Sequence, residues 1–444
     1  MMNPPEAPAG TERPTRIRWW IVGFLFLLTS VNYADRATLS IVGTDLAKDL
    51  ALDSVAMGYV FSAFAWAYVA CQIPGGWLLD RFGSKRIYFW SIALWSLFTL
   101  LQGFIGGLGP AVAVAVLFVL RFLLGAAEAP SFPANARIVA AWFPTAERGT
   151  ASAIFNSAQY FATVLFSPIM GWIAHTFGWA PVFWFMGAVG LGFAAIWPRL
   201  IHGPREHPAA NAAEVAHIGR GGGLVDLDRQ GAPGAPVRWA VLGQLLGNRM
   251  LLGIYFGQYC ITTLTWFFLT WFPIYLVKER GMSILKVGFV AALPALCGFI
   301  GGVLGGWFSD RLLRRGCSLT VARKTPIVAG LLMSVSMVAC NYVDAEWAVI
   351  FFMSLAFFGK GVGALGWAVI SDTSPKSVTG LCGGLFNTFG NTAGIVTPIA
   401  IGYILQATGS FNWALVYVSA HAALAVASYL VVVGEIKRVE LKVA

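Results

Sequence analysis

The feature that most constrains this chain is a series of apolar stretches, each near the roughly 20 residues that a bilayer span needs, following one another from residue 19 to residue 433. Twelve are distinguishable, at 19–39, 58–79, 87–105, 111–142, 151–174, 182–197, 251–277, 287–308, 326–342, 348–370, 381–405 and 414–433. Only 11% of the 444 residues are charged, against about a quarter in an ordinary soluble domain. The expected fold class is therefore an all-α membrane protein with twelve transmembrane helices. The polar segment before the first stretch is followed by no small-residue cleavage site, so no cleaved signal peptide is expected. The six cysteines form no CxxC pair, lie mostly inside spans, and read as packing residues.

The net charge of +10 raises nucleic acid or acidic lipid as partners, but the placement of the basic residues gives another reason for it. With the amino terminus and every second loop on one face, that face collects Arg13, Arg16, Arg18, Arg81, Lys85, Arg86, Arg148, Arg311, Arg314, Arg315, Arg323, Lys324, Lys376, Lys437, Arg438 and Lys442. The opposite loops hold only Lys48, Lys278, Arg280 and Lys286. The positive-inside rule makes the first face cytoplasmic. The basic balance then reports topology, and no nucleic-acid partner is expected.

Between His202 and Arg249 the apolar pattern lapses into a stretch with Pro204, Pro208, Pro233 and Pro236. It divides the chain into an N-terminal six-helix bundle at 1–200, a central cytoplasmic loop at 201–249 and a C-terminal six-helix bundle at 250–444. The halves repeat. Gly75-Gly76-Trp77-Leu78-Leu79-Asp80-Arg81 recurs 230 residues later as Gly305-Gly306-Trp307-Phe308-Ser309-Asp310-Arg311, Phe155-Asn156-Ser157 recurs as Phe386-Asn387-Thr388, and Ser167-Pro168 recurs as Thr397-Pro398. A near-constant offset indicates duplication, and parallel repeats place a substrate site between the halves near the bilayer midplane.

The loop after the second span reads Gly76-Trp77-Leu78-Leu79-Asp80-Arg81-Phe82-Gly83-Ser84-Lys85-Arg86, with a degenerate copy at Asp310 and Arg311. Glycines there suit close helix approach and a sharp turn, and Asp80 suits a pairing across the cytoplasmic face. This loop resembles the signature of the major facilitator superfamily, which implies two pseudo-symmetric six-helix halves. Within it, Asn32-Tyr33-Ala34-Asp35-Arg36, Glu128-Ala129-Pro130, Trp142-Phe143-Pro144 and Trp266-Phe267-Phe268-Leu269-Thr270-Trp271-Phe272-Pro273 resemble the anion:cation symporters. Phe358-Gly359-Lys360-Gly361 and the run from Gly384 to Asn391 look like the glucarate and galactarate transporters of bacteria in particular.

Ionisable groups inside spans cost roughly 2.5–3.5 kcal/mol each on insertion scales, so each is a functional candidate. Asp35 and Arg36 fall in the first span, Arg121 and Glu128 two helical turns apart in the fourth, and Lys360 in the middle of the tenth. One reading is that the acids and arginines form buried pairs that lock helices together. Another is that they serve transport, because buried pairs are poor sources of stability. The family likeness implies protonation of Asp35 and Glu128, with Arg121 orienting an acid and Arg36 binding a substrate carboxylate. Lys360, among Gly359, Gly361, Gly363 and Gly366, suits a second carboxylate, and a six-carbon aldarate has one at each end. Tyr68, Asn156, Gln159, Asn387 and Asn391 are candidate hydroxyl ligands, and Trp266 and Trp367 are candidate stacking surfaces for the carbon chain.

Rival functions fit less well. The five histidines supply neither metal spacing nor a Ser-His-acid set, and no Walker loop is present. An enzyme, a metal site and ATP drive are therefore not expected. A multidrug antiporter shares the fold, but the buried cations would repel cationic drugs. The expectation is a proton-coupled symporter, without cofactor, that takes up D-glucarate or galactarate through a bacterial inner membrane. It would be multi-pass, with both termini cytoplasmic, and functional as a monomer. Symport of monocarboxylate sugar acids such as galactonate or hexuronate is the alternative.

Overall fold

The fold is built wholly from helices among the residues described, because in hydrocarbon each helix satisfies its own backbone hydrogen bonds. The structure is a computed structural model that describes residues 13–144, 147–227, 239–375 and 378–441. Among the described residues, ten helical spans are long and apolar enough to cross a bilayer, and a bent pair is an eleventh. The pair is α10 (Arg249–Thr270) and α11 (Phe272–Lys278), bent by 49° where Pro273 enters. The twelfth is α6 (Arg148–Phe177), whose 30 residues are diluted by Asn156, Ser157 and Gln159. The helices overrun the apolar stretches because polar turns continue beyond the hydrocarbon: the first stretch ends near Leu39, while α1 runs Ile17–Asp49.

In the N-terminal half, α1 is followed by α2 (Ser54–Phe82), α3 (Ser84–Gln102), α4 (Pro110–Glu128), α5 (Ser131–Trp142), α6 and α7 (Ala180–Leu200). The fourth span breaks at Ala129-Pro130, since proline offers no N–H to continue α4. The described part of the central loop is more helical than its composition suggests. It contains α8 (Ala212–Arg220), capped by Asn211, whose side chain accepts from the Glu214 N–H at 2.9 Å, and α9 (Trp239–Leu246).

The second half adds α12 (Ile284–Val290), α13 (Ala292–Arg314), α14 (Leu319–Val335), α15 (Glu346–Val362), α16 (Gly366–Thr373), α17 (Thr379–Thr408) and α18 (Asn412–Ala427). The tenth span is broken after Val362, so Lys360 stands in the last turn of α15 beside the break rather than within a continuous helix. His421 is mid-helix in α18, between the rings of Tyr259 and Tyr417.

The duplication is visible where the halves meet. A Cβ added at Gly58 on α2 would stand 2.6 Å from the Pro398 carbonyl oxygen of α17. At Gly288, 230 residues on, it would stand 2.8 Å from the Ser167 carbonyl oxygen of α6. Gly402 meets Ser54, and Gly171 meets Ile284, by the same pseudo-symmetry. These contacts lie away from the basic face. There one apolar cluster runs through both halves, including Phe61, Met170, Trp271 and Ile401. Toward the basic face the apolar core divides mainly by half, one cluster around Trp95 and Trp142 and another around Tyr255 and Phe386.

Candidate functional site

Five ionisable side chains are nearly or fully buried within the spans, Asp35, Arg36, Arg121 and Glu128 in the N-terminal half and Lys360 in the other. Glu128 closes α4 at its C-terminal end, where a negative charge opposes the helix dipole. Arg36 of α1 offsets that cost, because its Nε donates to Glu128 Oε2 at 2.8 Å and its Nη2 to Asn32 Oδ1, one turn earlier, at 3.2 Å. Tyr33, Phe64 and Tyr68 surround the guanidinium, with ring centres 4.8–4.9 Å from Cζ.

The other two charges of that half are left over. Both oxygens of Asp35 are buried without a hydrogen-bond partner, as are Nε and Nη1 of Arg121 and Oε1 of Glu128. No ion pair within 4.0 Å joins Asp35 to Arg121 among the described residues. The half thus holds one engaged acid and one buried acid with unspent acceptors, an arrangement that a proton or a ligand can reorganise.

Lys360 faces inward from the other half, its Nζ 5.0 Å from the ring centre of Phe357 and 5.7 Å from that of Tyr160 on α6. A cavity between the two ends is lined by Tyr33, Gln159, Tyr160, Thr163, Ser167 and Thr265 among others. Tyr33 borders both Arg36 and this cavity, and Tyr160 borders both the cavity and Lys360. Neither tyrosine stands out in the sequence, although each is close in sequence to a residue that does, Tyr33 to Asp35 and Tyr160 to Gln159.

The remaining candidates fall into four groups. Tyr68 stacks on Phe64 at 5.3 Å beside Arg36, and Trp266 packs on Phe64 and against Gly394. Asn387 Nδ2 donates to Gln72 Oε1 at 2.9 Å, bridging α17 to α2, and Asn391 Nδ2 donates to Asn387 Oδ1 at 3.1 Å. The amide of Asn156 turns back on its own helix to Ser152, and Gln159 does the same to Asn156. Trp367 is 56% exposed and packs edge-on against Phe386.

The signature loop divides its work differently from expectation. Gly75, not Gly76, makes the close approach, since its added Cβ would be 3.2 Å from Pro130 while one at Gly76 meets nothing. Gly83 makes the turn, with φ of 80°. Arg81 lies over Trp77 at 5.2 Å, and Arg311 lies over Trp307 at the same 5.2 Å. Asp310 pairs with Arg323 at 3.6 Å, and Arg323 also holds Asp372 at 2.8 Å. The Lys85 carbonyl accepts from Trp197, and Arg86 is exposed. The side chain of Asp80 lies outside the described residues.

Two related helical halves, sharing a buried charged site at their seam, define a secondary-transporter architecture of the membrane. The chain belongs to the Major Facilitator Superfamily, matching it over residues 25–339. It is 63% identical over 440 residues to the probable galactarate/D-glucarate transporter GudP of Escherichia coli strain K12, covering 98% of each chain. It is 64% identical over 436 residues to the protein of the same name from Bacillus subtilis strain 168, covering 98% of this chain and 95% of that one. A more distant relative, 40% identical over 441 residues, is the D-galactonate transporter of Escherichia coli O6:H1, with 98% and 100% covered. Among solved structures, a bacterial homologue of the human lysosomal transporter Spinster, inward-facing and occupied, superposes with a TM-score of 0.71 at 15% identity, covering 95% and 97%. That likeness is one of fold.

Proposed function

We propose that the protein is a proton-coupled symporter that carries a hexarate dianion, D-glucarate or galactarate, inward across a bacterial inner membrane. The basic face is cytoplasmic in this reading, and the monomer is the working unit. The names of the 63–64% identical relatives support the substrate class. The observation that carries the coupling is the buried charge content, two acids and two cations in one half and a third cation, Lys360, in the other. With both acids ionised the empty site holds a net charge of plus one. Two protons and a dianion leave that charge unchanged, so the loaded carrier crosses the same electrostatic barrier as the empty one. Uptake of a dianion alone would work against an inside-negative potential, at about 2.3 kcal/mol per charge per 100 mV.

In the transport step, protonation of Glu128 releases Arg36 from its ion pair, and the freed guanidinium takes one carboxylate through parallel hydrogen bonds. Asp35, beside Arg121, takes the second proton. Lys360 takes the other carboxylate from the opposite half, which draws the halves together around the substrate. The test is uptake of labelled glucarate into proteoliposomes under an inward proton gradient. Accumulation that collapses with a protonophore, and that galactarate competes better than galactonate, is the expected result. Uptake indifferent to the gradient would overturn the coupling, and preference for galactonate would move the substrate to the monocarboxylates carried by the more distant relative.

A further inference from the structure

Away from the charged seam, a cavity of about 400 Å³ opens at the basic face among the first turn of α3, the α5 helix and the segment that follows α7. Its walls are apolar, with Phe89, Trp142, Trp197 and Ile201 at the depth where spans end. Its rim carries Lys85, Arg86, Arg137 and Arg205 against one lining carboxylate, Glu206. Arg205 is already held by Asp226 at 2.8 Å, and Arg137 Nε donates to Ser84 at 3.3 Å. Lys85 and Arg86 make no ion pair within 4.0 Å among the described residues, so the rim keeps a positive excess. Gly83 gives α3 no side-chain cap, and the positive end of that helix dipole adds to the excess.

His202 supplies an independent sign. It lines the same cavity, and its Nδ1 is buried with no hydrogen-bond partner. Burial, and then the charge of Lys85, hold its imidazole below the ordinary histidine range. A buried nitrogen without a partner, beside cations and above an apolar wall, is satisfied by an anion that brings oxygens and fits the wall with its remainder.

We propose that this cavity binds a phosphate group. An anionic phospholipid headgroup, with its glycerol and first acyl carbons against Trp142, Trp197 and Ile201, is one source of that chemistry, and free phosphate is the other. Basic pockets between spans at the cytoplasmic surface are suited to such headgroups. The site does not depend on the transported substrate.

The experiment measures thermal unfolding of the full-length protein in neutral detergent with short-chain phosphatidylglycerol, short-chain phosphatidylcholine or inorganic phosphate. The proposal expects a rise in midpoint with phosphatidylglycerol, and an apparent affinity weakened about tenfold or more in the Lys85→Ala, Arg86→Ala double variant. Inorganic phosphate giving the larger rise would assign the site to a soluble phosphate. Equal shifts with phosphatidylcholine, no shift with either anion, or an unchanged double variant would overturn it. Should the double variant fail to fold, His202→Gln takes its place, with the same loss expected and an unchanged affinity decisive against the site.

Discussion

The Lys360 ammonium of one half lies 5.7 Å from the ring centre of Tyr160 in the other. Gly298 of α13 leaves room for both rings beside the ammonium: an added Cβ there would stand 2.7 Å from the Phe357 ring and 3.2 Å from the Tyr160 ring. Gly298→Val should press on both rings and lower stability by about 1–3 kcal/mol. Combined with Tyr160→Ala, the loss should be less than the sum of the two. Thermal midpoints of the four proteins in this cycle check it, and strictly additive losses would show that Gly298 does not make room for the Tyr160 ring.

Lys360→Asn removes the cation proposed for the second carboxylate. A hydrogen bond to a charged group is worth about 1.5–3 kcal/mol, so glucarate should bind roughly 10- to 150-fold more weakly. Galactonate should change little. Competition against labelled substrate gives both numbers, and equal losses would remove Lys360 from the carboxylate site.

Glu128 separates folding from coupling. Glu128→Ala leaves Arg36 buried and unpaired, at a cost of about 3–5 kcal/mol, and should reduce the folded yield. Glu128→Gln keeps an acceptor for Arg36 but no proton to carry. It should exchange labelled for unlabelled glucarate across proteoliposomes while failing to accumulate it under a proton gradient. Accumulation at the wild-type level would remove Glu128 from the coupling.

At the basic face the carboxylate of Glu214 is buried on α8, taking hydrogen bonds from the Thr15 hydroxyl, the N–H groups of Ile17 and Arg18 and the Arg18 guanidinium. Burial alone would raise its pKa, but these donors outweigh burial and hold it below the ordinary range. Glu147 is held down too, first by its bond from Arg18. A depressed folded-state pKa contributes stability that is present above the unfolded value, about 4.3, and is lost as pH falls through the folded one. Glu214→Gln should therefore cost about 1–3 kcal/mol at neutral pH. Its deficit in thermal midpoint should shrink as the pH drops below about 4. A deficit that does not vary with pH would assign the effect to packing alone.

The twelve spans were legible because hydrocarbon thickness imposes a length that composition alone reveals. The five buried charges were legible as exceptions within those lengths. The repeat placed Ser167-Pro168 and Thr397-Pro398 in register, and both prove to face a glycine of the other half. Which acid would meet which base was not legible, since Arg36 and Glu128 are 92 residues apart and their pairing depends on how α1 crosses α4. Tyr160 was hidden for the same reason, because the room for its ring comes from a glycine more than a hundred positions away. The α8 helix did leave a mark, Asn211 three residues before Glu214 in the manner of a helix cap, inside a stretch whose prolines and glycines suggested only a loop.

The seam at Gly58 and Gly288 joins peptide groups and small apolar surfaces, and no charge takes part in those glycine contacts. Coulombic forces between exposed ions fade over about 8 Å at physiological salt, but close packing of uncharged backbone is not screened. This part of the seam between the halves is therefore indifferent to the salinity of the surrounding medium. The two halves grip each other there equally in dilute and in concentrated surroundings.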